Sequence, residues 1–348
     1  MIAPPRRLVL FAPNWLGDAV MALPLLADLQ RAWPETEIAV AARRAVATLF
    51  EMAPHISQTV ELETGHRWRM LPALKRNAEM LAACGFDAAL LLPNSFQSAW
   101  VASRAAIPER WGYARDLRAR LLTRALPRPK GDVHQAEYYQ ALATGLGLAT
   151  GDRYATLEVS EDARRRAGAL LADAGIEEPS KAVVFAPGAA YGRAKQWLPQ
   201  RFAELAGMLI ERGFSIVLIG AGADASACRE VCGHAASADR ARIVDLAGKT
   251  DLTALAGLFA QVHAVVANDS GAMHLAAAAG AKVVAIFGPT NDRQTSPLRA
   301  GPDTPAPIVV STSVWCRPCM LRECPIDHRC MTGISARVVL EAVTSRPV

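Results

Sequence analysis

Three loops concentrate the residue types that could do chemistry. In the first, Asn14-Trp15-Leu16-Gly17-Asp18 leads from an apolar stretch into Ala19-Val20-Met21-Ala22. Gly17 permits a tight turn. A carboxylate at Asp18 could take a proton from a hydroxyl nucleophile, the general-base role. Spacing alone reads as a helix N-cap, a position aspartate favours. The G-x-G-x-x-G dinucleotide fingerprint is not met, because its second and third glycines are missing.

The second loop is Pro187-Gly188-Ala189-Ala190-Tyr191-Gly192-Arg193-Ala194-Lys195-Gln196-Trp197. Two glycines let the backbone approach a diphosphate, and two cations neutralise it. Lys195 could stabilise a departing phosphate. A plain basic surface loop is the competing reading and explains this pairing less well.

The third runs Asn268-Asp269-Ser270-Gly271-Ala272-Met273-His274, from a buried strand into an alanine-rich helix. The amides of residues 270–273 would point at whatever lies above the strand tip, and the helix dipole favours an anion there. Asp269 could hold a sugar or ribose hydroxyl. Capping explains Asp269 or Ser270 singly, but not the whole polar run. His274 reads equally as core packing or as a ligand. Two weaker loops, 220–224 ending in Asp224 and 288–291 containing Thr290, could line the same place or be simple turns.

These loops need elements to hold them. Residues 8–12, 38–42 and 88–92 read as strands, with helices over 24–33 and 71–83. The rhythm lapses at 150–160. A helix over 161–174 stops at Gly175, and a turn-rich stretch follows, where a domain boundary near 177 is expected. Strands then resume at 182–185, 215–219, 264–266 and 283–287, with helices over 201–212 and 271–279. Short apolar strands alternating with helices imply βαβ units and parallel sheets covered on both faces.

The 348 residues suit two domains. No apolar run approaches the length of a membrane span. The apolar stretch at 8–12 is too short for a signal peptide, so a cytoplasmic location without disulfides is expected. The net charge of +5 is uneven: residues 104–130 carry eight basic side chains against Glu109 and Asp116. Such a field attracts phosphorylated molecules, nucleic acid or an anionic membrane. From charge alone a solvated basic helix is the preferred reading. No nucleic-acid module accompanies it. Of seven cysteines, Cys316, Cys319, Cys324 and Cys330 cluster beside His328. They are enough ligands for a metal, but the spacing is not a standard zinc pattern, and reduced thiols fit as well.

In order and spacing, these motifs resemble the lipopolysaccharide heptosyltransferases over nearly the whole chain. The resemblance rests on 14–18, 187–189 with 194–197, 220–224, 268–274 and 287–290. The cysteine segment also resembles longer members of that family. Three positions depart from the family pattern: Ala190, Arg193, and Leu198 between Trp197 and Pro199.

The resemblance implies a GT-B fold, two Rossmann-like doubly wound α/β domains facing across a cleft. Residues 1–177 would bind the acceptor and 178–348 the nucleotide sugar, and the last helix could pack back on the first domain. It implies inverting transfer of heptose from ADP-L-glycero-D-manno-heptose to the heptosyl-Kdo2-lipid A inner core, with no metal or cofactor required. Transfer of the first or third heptose is the alternative. Asp18 would be the base, and Lys195 would hold the leaving ADP. Gly188, Tyr191, Asp224, Asp269, Ser270, Gly271, Met273 and His274 would bind the donor. Asn14, Asn94, Ser95, Arg104 and Arg110 would bind the anionic acceptor, helped by Arg67, Arg69 and Lys75. The family implies peripheral contact with the inner face of the inner membrane and no nucleic-acid partner. A GT-B sugar-nucleotide epimerase and a silent sugar-nucleotide-binding protein remain as rivals.

Overall fold

A computed structural model describes residues 2–65 and 69–345. Arg67 lies outside the described residues. The chain forms two compact units, Met1–Arg153 and Tyr154–Val348.

The first unit holds β1 (Arg7–Phe11), β2 (Glu37–Arg43), β3 (Gln58–Leu62), β4 (Ala88–Leu91), β5 (Glu109–Tyr113) and β6 (Arg124–Leu126). They form a single six-stranded sheet in the order β3-β2-β1-β4-β5-β6. Every pairing is parallel, with Leu8 level with Ile38 on one side and Ala88 on the other. The central strands β1 and β4 are apolar at successive positions because helices cover both faces. Edge strands β3 and β6 are half polar, which is why an apolar-run reading passes over them.

The second unit repeats the plan. It holds β7 (Ala182–Ala186), β8 (Ser215–Leu218), β9 (Ile243–Asp245), β10 (Ala264–Asn268), β11 (Val283–Phe287) and β12 (Ile308–Ser311). Their order is β12-β11-β10-β7-β8-β9. Read from the other edge, it matches the first sheet: the first and fourth strands of each unit lie side by side. This is the doubly wound order, in which ligands sit beyond the carboxyl ends of those two strands.

The boundary falls near Arg153 rather than near 177. The stretch after Tyr154 is tied into the second unit, where Ala155 N donates to Arg299 O at 3.0 Å and Thr156 Oγ1 to Ala300 O at 2.6 Å. The helix Glu161–Asp173, capped by Ser160, then packs on the helix Leu252–Phe259 of that unit. Gly257 lies directly beneath Ala163; a Cβ there would stand 2.2 Å from the Ala163 carbonyl oxygen. The break in pattern at 150–160 was therefore the real division. The last helix, Ala336–Thr344, also stays in the second unit: Val339 and Val343 share a core with Val183, Phe202 and Leu205.

The basic segment 104–130 is not a helix. It makes β5, β6 and a short 3-10 turn, Ala119–Leu121. Among the described residues, no helix is long and apolar enough to cross a membrane.

Candidate functional site

In the first unit, β1 ends at Phe11 and the chain turns through Asn14 into the helix Leu16–Met21. Trp15 is the N-cap and makes no side-chain cap bond. Asp18 thus stands inside the first turn, and the N-cap reading of it fails. β4 ends at Leu91 and leads to Asn94 and Ser95, whose hydroxyl caps the helix Phe96–Arg104 by accepting from Ser98 N at 3.3 Å.

Asn14, Trp15, Asp18 and Asn94 line one cavity of about 290 Å³ with Gln135, Tyr138 and Tyr139. That volume is at the small end of ligand pockets and suits a sugar unit better than a nucleotide. Burial holds the Tyr139 hydroxyl protonated well above the usual tyrosine range, and the Asp18 charge adds to this.

The tyrosines come from the helix Gln135–Gly145. A histidine starts this helix: His134 Nδ1 accepts from Ala136 N at 3.1 Å. Histidine is not among the usual caps that announce a helix, so sequence reading missed these residues. Arg118 was seen only as part of the charge cluster, yet its side chain is wholly buried.

Two expected acceptor residues stand elsewhere. Arg104 ends the helix Phe96–Arg104, one helix length away from the β4 tip. Arg110 sits near the start of β5, where its guanidinium donates to the carbonyls of Leu121 at 2.7 Å and Ile107 at 2.6 Å. Neither lines the cavity. Lys75 lies on the helix Met70–Cys84, and Arg69 is that helix's N-cap.

In the second unit, β7 ends at Ala186 and β10 at Asn268. The buried Asn268 amide pins both ends of the intervening loop. Its Oδ1 accepts from Trp197 N at 2.9 Å, and its Nδ2 donates to Pro187 O at 2.7 Å. This clamp brings Lys195 to the tip of β10. Lys195 Nζ lies 2.6 Å from Asp269 Oδ2, with the two side chains only 14% and 5% exposed. Thr290, beyond β11, donates its hydroxyl to the same oxygen at 2.5 Å. Tyr191 lays its ring 4.8 Å from the Lys195 ammonium.

Beside them starts the helix Gly271–Ala278, whose N-cap Ser270 makes no side-chain cap bond. Neither Ser270 nor Asp269 spends its side chain on capping, so the first amides of this helix remain directed beyond the strand tip. Met273 and His274 are buried in that helix. Gly188 makes room for Asp224: a Cβ on Gly188 would meet Asp224 Cγ at 2.2 Å. Asp224 Oδ2 accepts from Ala221 N at 3.0 Å.

The cysteine segment braces this loop. Ala194 N donates to Arg322 O at 2.9 Å, Tyr191 Oη to Met320 O at 2.7 Å, and His328 Nε2 lies 2.7 Å from Ala194 O. Arg317 Nε donates to Gly288 O at 2.8 Å, reaching the Thr290 loop as well. All four cysteines carry free thiols. Among the described residues, no three His, Cys, Asp or Glu side chains gather so as to hold a metal ion.

Two doubly wound sheets, one bearing a sugar-sized cavity and the other a lysine and free helix amides suited to a diphosphate, define a glycosyltransferase of the GT-B type. The family model "Glycosyltransferase family 9 (heptosyltransferase)" matches residues 74–329. The chain belongs to that family. It is 32% identical over 301 residues to lipopolysaccharide heptosyltransferase 2 of Salmonella typhimurium, covering 84% of this chain and 85% of the relative. The structure of Escherichia coli ADP-heptose lps heptosyltransferase II superposes with a TM-score of 0.82 at 28% identity, covering 97% of each chain. Escherichia coli heptosyltransferase WaaC, solved with ADP, shares the fold at a TM-score of 0.72 and 19% identity, over 96% of this chain and 97% of that one.

Proposed function

We propose that this chain adds the second heptose of the lipopolysaccharide inner core, moving it from ADP-L-glycero-D-manno-heptose to heptosyl-Kdo2-lipid A with inversion. The relatives named for the second heptose favour that step over the first or third. The observation that carries the reading is the Lys195–Asp269–Thr290 cluster beside the open amides of Ser270 and Gly271. It offers a cation, oriented by a buried carboxylate, at a place built for phosphate. An epimerase would need donor chemistry alone. Here a separate cavity carries its own carboxylate, which suits a hydroxyl nucleophile.

In this reading Asp18 takes the proton from the acceptor hydroxyl as that oxygen attacks the anomeric carbon. The bond from that carbon to the diphosphate breaks, and ADP leaves with its charge on Lys195 and the helix amides. Asp269 holds Lys195 in place, and Gly188, Tyr191 and Asp224 shape the donor's surroundings. No metal or cofactor is required. The acceptor is anionic, so the protein works as a peripheral partner of the inner membrane's cytoplasmic face, and nucleic acid is not a partner.

The test is mass spectrometry of truncated lipopolysaccharide incubated with ADP-heptose and a chelator. Wild type adds one heptose. Asp18→Asn loses about 10²–10⁴-fold in kcat, the usual yield of general-base catalysis, while donor affinity stays. An active Asp18→Asn variant would remove the base from this mechanism.

A further inference from the structure

Behind the first unit's cavity lies a cation that the mechanism above does not use. Arg118 is wholly buried. Among the described residues it forms no ion pair; its guanidinium bonds instead to uncharged oxygens. It donates to Tyr113 O at 3.0 Å, to Pro93 O, to Ser98 Oγ at 3.3 Å and to Asn94 Oδ1 at 3.4 Å. Gly112 leaves the space, since a Cβ there would stand 3.0 Å from Arg118 Nη2. A buried cation without a carboxylate is costly, and such groups mark function more often than stability.

The geometry transmits polarity. A guanidinium only donates, so Asn94 must turn its amide oxygen toward Arg118. The Asn94 Nδ2 then faces Tyr138, and donates to its hydroxyl oxygen at 2.8 Å. Tyr138 therefore accepts from Asn94, which leaves its own hydrogen to be donated elsewhere. The Tyr138 ring is held by Tyr113, with centroids 4.7 Å apart, and the Tyr113 hydroxyl donates to the Tyr138 carbonyl. Asn94, Tyr138 and Asp18 line the same cavity.

We infer that the Tyr138 hydroxyl determines acceptor specificity, donating a hydrogen bond to an acceptor-sugar oxygen beside the one Asp18 deprotonates. Arg118 and Asn94 are positioning residues that fix the direction of that bond. The chain of donors carries the polarity of the buried cation to the cavity wall, so it selects an acceptor sugar that offers a lone pair there, a carboxylate oxygen best of all. The inference rests on the transferase reading above.

Steady-state kinetics with truncated lipopolysaccharide tests it. Tyr138→Phe keeps the ring stack and removes only the donor. The acceptor KM rises about 5- to 10-fold, the usual value of one hydrogen bond, while kcat and donor KM stay within about twofold. Asn94→Asp keeps the shape but can no longer donate, so the Tyr138 hydroxyl turns back to it, and acceptor KM rises similarly. The double variant is then no worse than either single one.

An unchanged acceptor KM in Tyr138→Phe, or effects that multiply in the double variant, overturns the inference and leaves the transferase intact. A fall in kcat at constant KM also overturns it, because Tyr138 would then serve Asp18 instead. Absence of heptose transfer by the wild type fails differently: it removes the reading on which the relay stands.

Discussion

The two units place their chemistry at the same point of the same topology, yet with opposite charge order. In each, the reactive side chains follow the first and fourth strands: Asp18 after β1 and Asn94 after β4, Lys195 after β7 and Asp269 after β10. In the first unit the cation is the buried member, Arg118, and the carboxylate of Asp18 faces the cavity. In the second the carboxylate of Asp269 is the more buried member and Lys195 the more exposed. In the second unit the buried carboxylate bonds directly to the lysine, whereas in the first the buried cation bonds to uncharged Asn94 and has no ion pair with Asp18 among the described residues. The fold supplies the location and the residue choice supplies the sign: in the mechanism proposed above, a proton acceptor in one unit and an anion stabiliser in the other.

Beside the Asp18→Asn loss already stated, the largest effect expected from this contrast is at Lys195. Lys195→Ala removes the anion stabiliser and leaves Asp269 with only the Thr290 hydroxyl. Removing one donor to developing charge costs about 10²–10³-fold in kcat. The orphaned carboxylate would repel the diphosphate, so donor KM should rise too. A Lys195→Ala enzyme with wild-type kcat would break the comparison, because the second unit would then bind without assisting departure.

Legibility followed the same division. Asp18, Lys195 and Asp269 were readable because each follows a buried apolar strand, in a segment where the sequence turns to glycine and polar residues. The cavity partners Tyr138, Tyr139 and Gln135 were not, since their helix starts at a histidine cap and their register on the sheet depends on tertiary packing. Arg118 was read as surface charge; composition cannot distinguish a solvated arginine from one enclosed by Pro93 and Tyr113 carbonyls. The same blindness misread 104–130 as a helix: arginine suits helices, but pairing with β4 imposed a strand. The cysteine segment offered enough ligands for a metal but no standard spacing, and composition could not reveal what the structure shows, a brace on the Lys195 loop.

A second prediction concerns how the units are divided. If the helix Glu161–Asp173 is part of the second unit, its seat on Gly257 matters. Gly257→Ala forces a methyl to 2.2 Å from the Ala163 carbonyl oxygen, so the two helices must separate. Overpacking of this kind costs about 1–3 kcal/mol. Thermal unfolding should show the second unit melting earlier and the first unchanged. An unaltered melt would mean that this contact does not hold the second unit together.

The smallest effect expected separates stability from chemistry within the second unit. His263 precedes β10, at the end of the sheet opposite Asp269, and its ring lies 4.7 Å from Phe214. The corresponding place before β4 holds Asp87, bonded to Arg7 N at 2.8 Å, so the first unit has no imidazole there. Burial, and then the charge of Lys282, hold the His263 imidazole below the usual histidine range. The unfolded chain therefore binds this proton more readily than the native one. Stability from neutral His263 is present above the unfolded value of about 6.5 and declines as pH falls through and below it. Melting temperature should drop between about pH 7 and pH 5, and less steeply in His263→Gln, which cannot titrate. Because the group stands at the far end of the sheet from Lys195, kcat measured below the melting range should not share that dependence. A His263→Gln protein with the wild-type slope would place the acid sensitivity elsewhere and leave the two ends of the second sheet undistinguished.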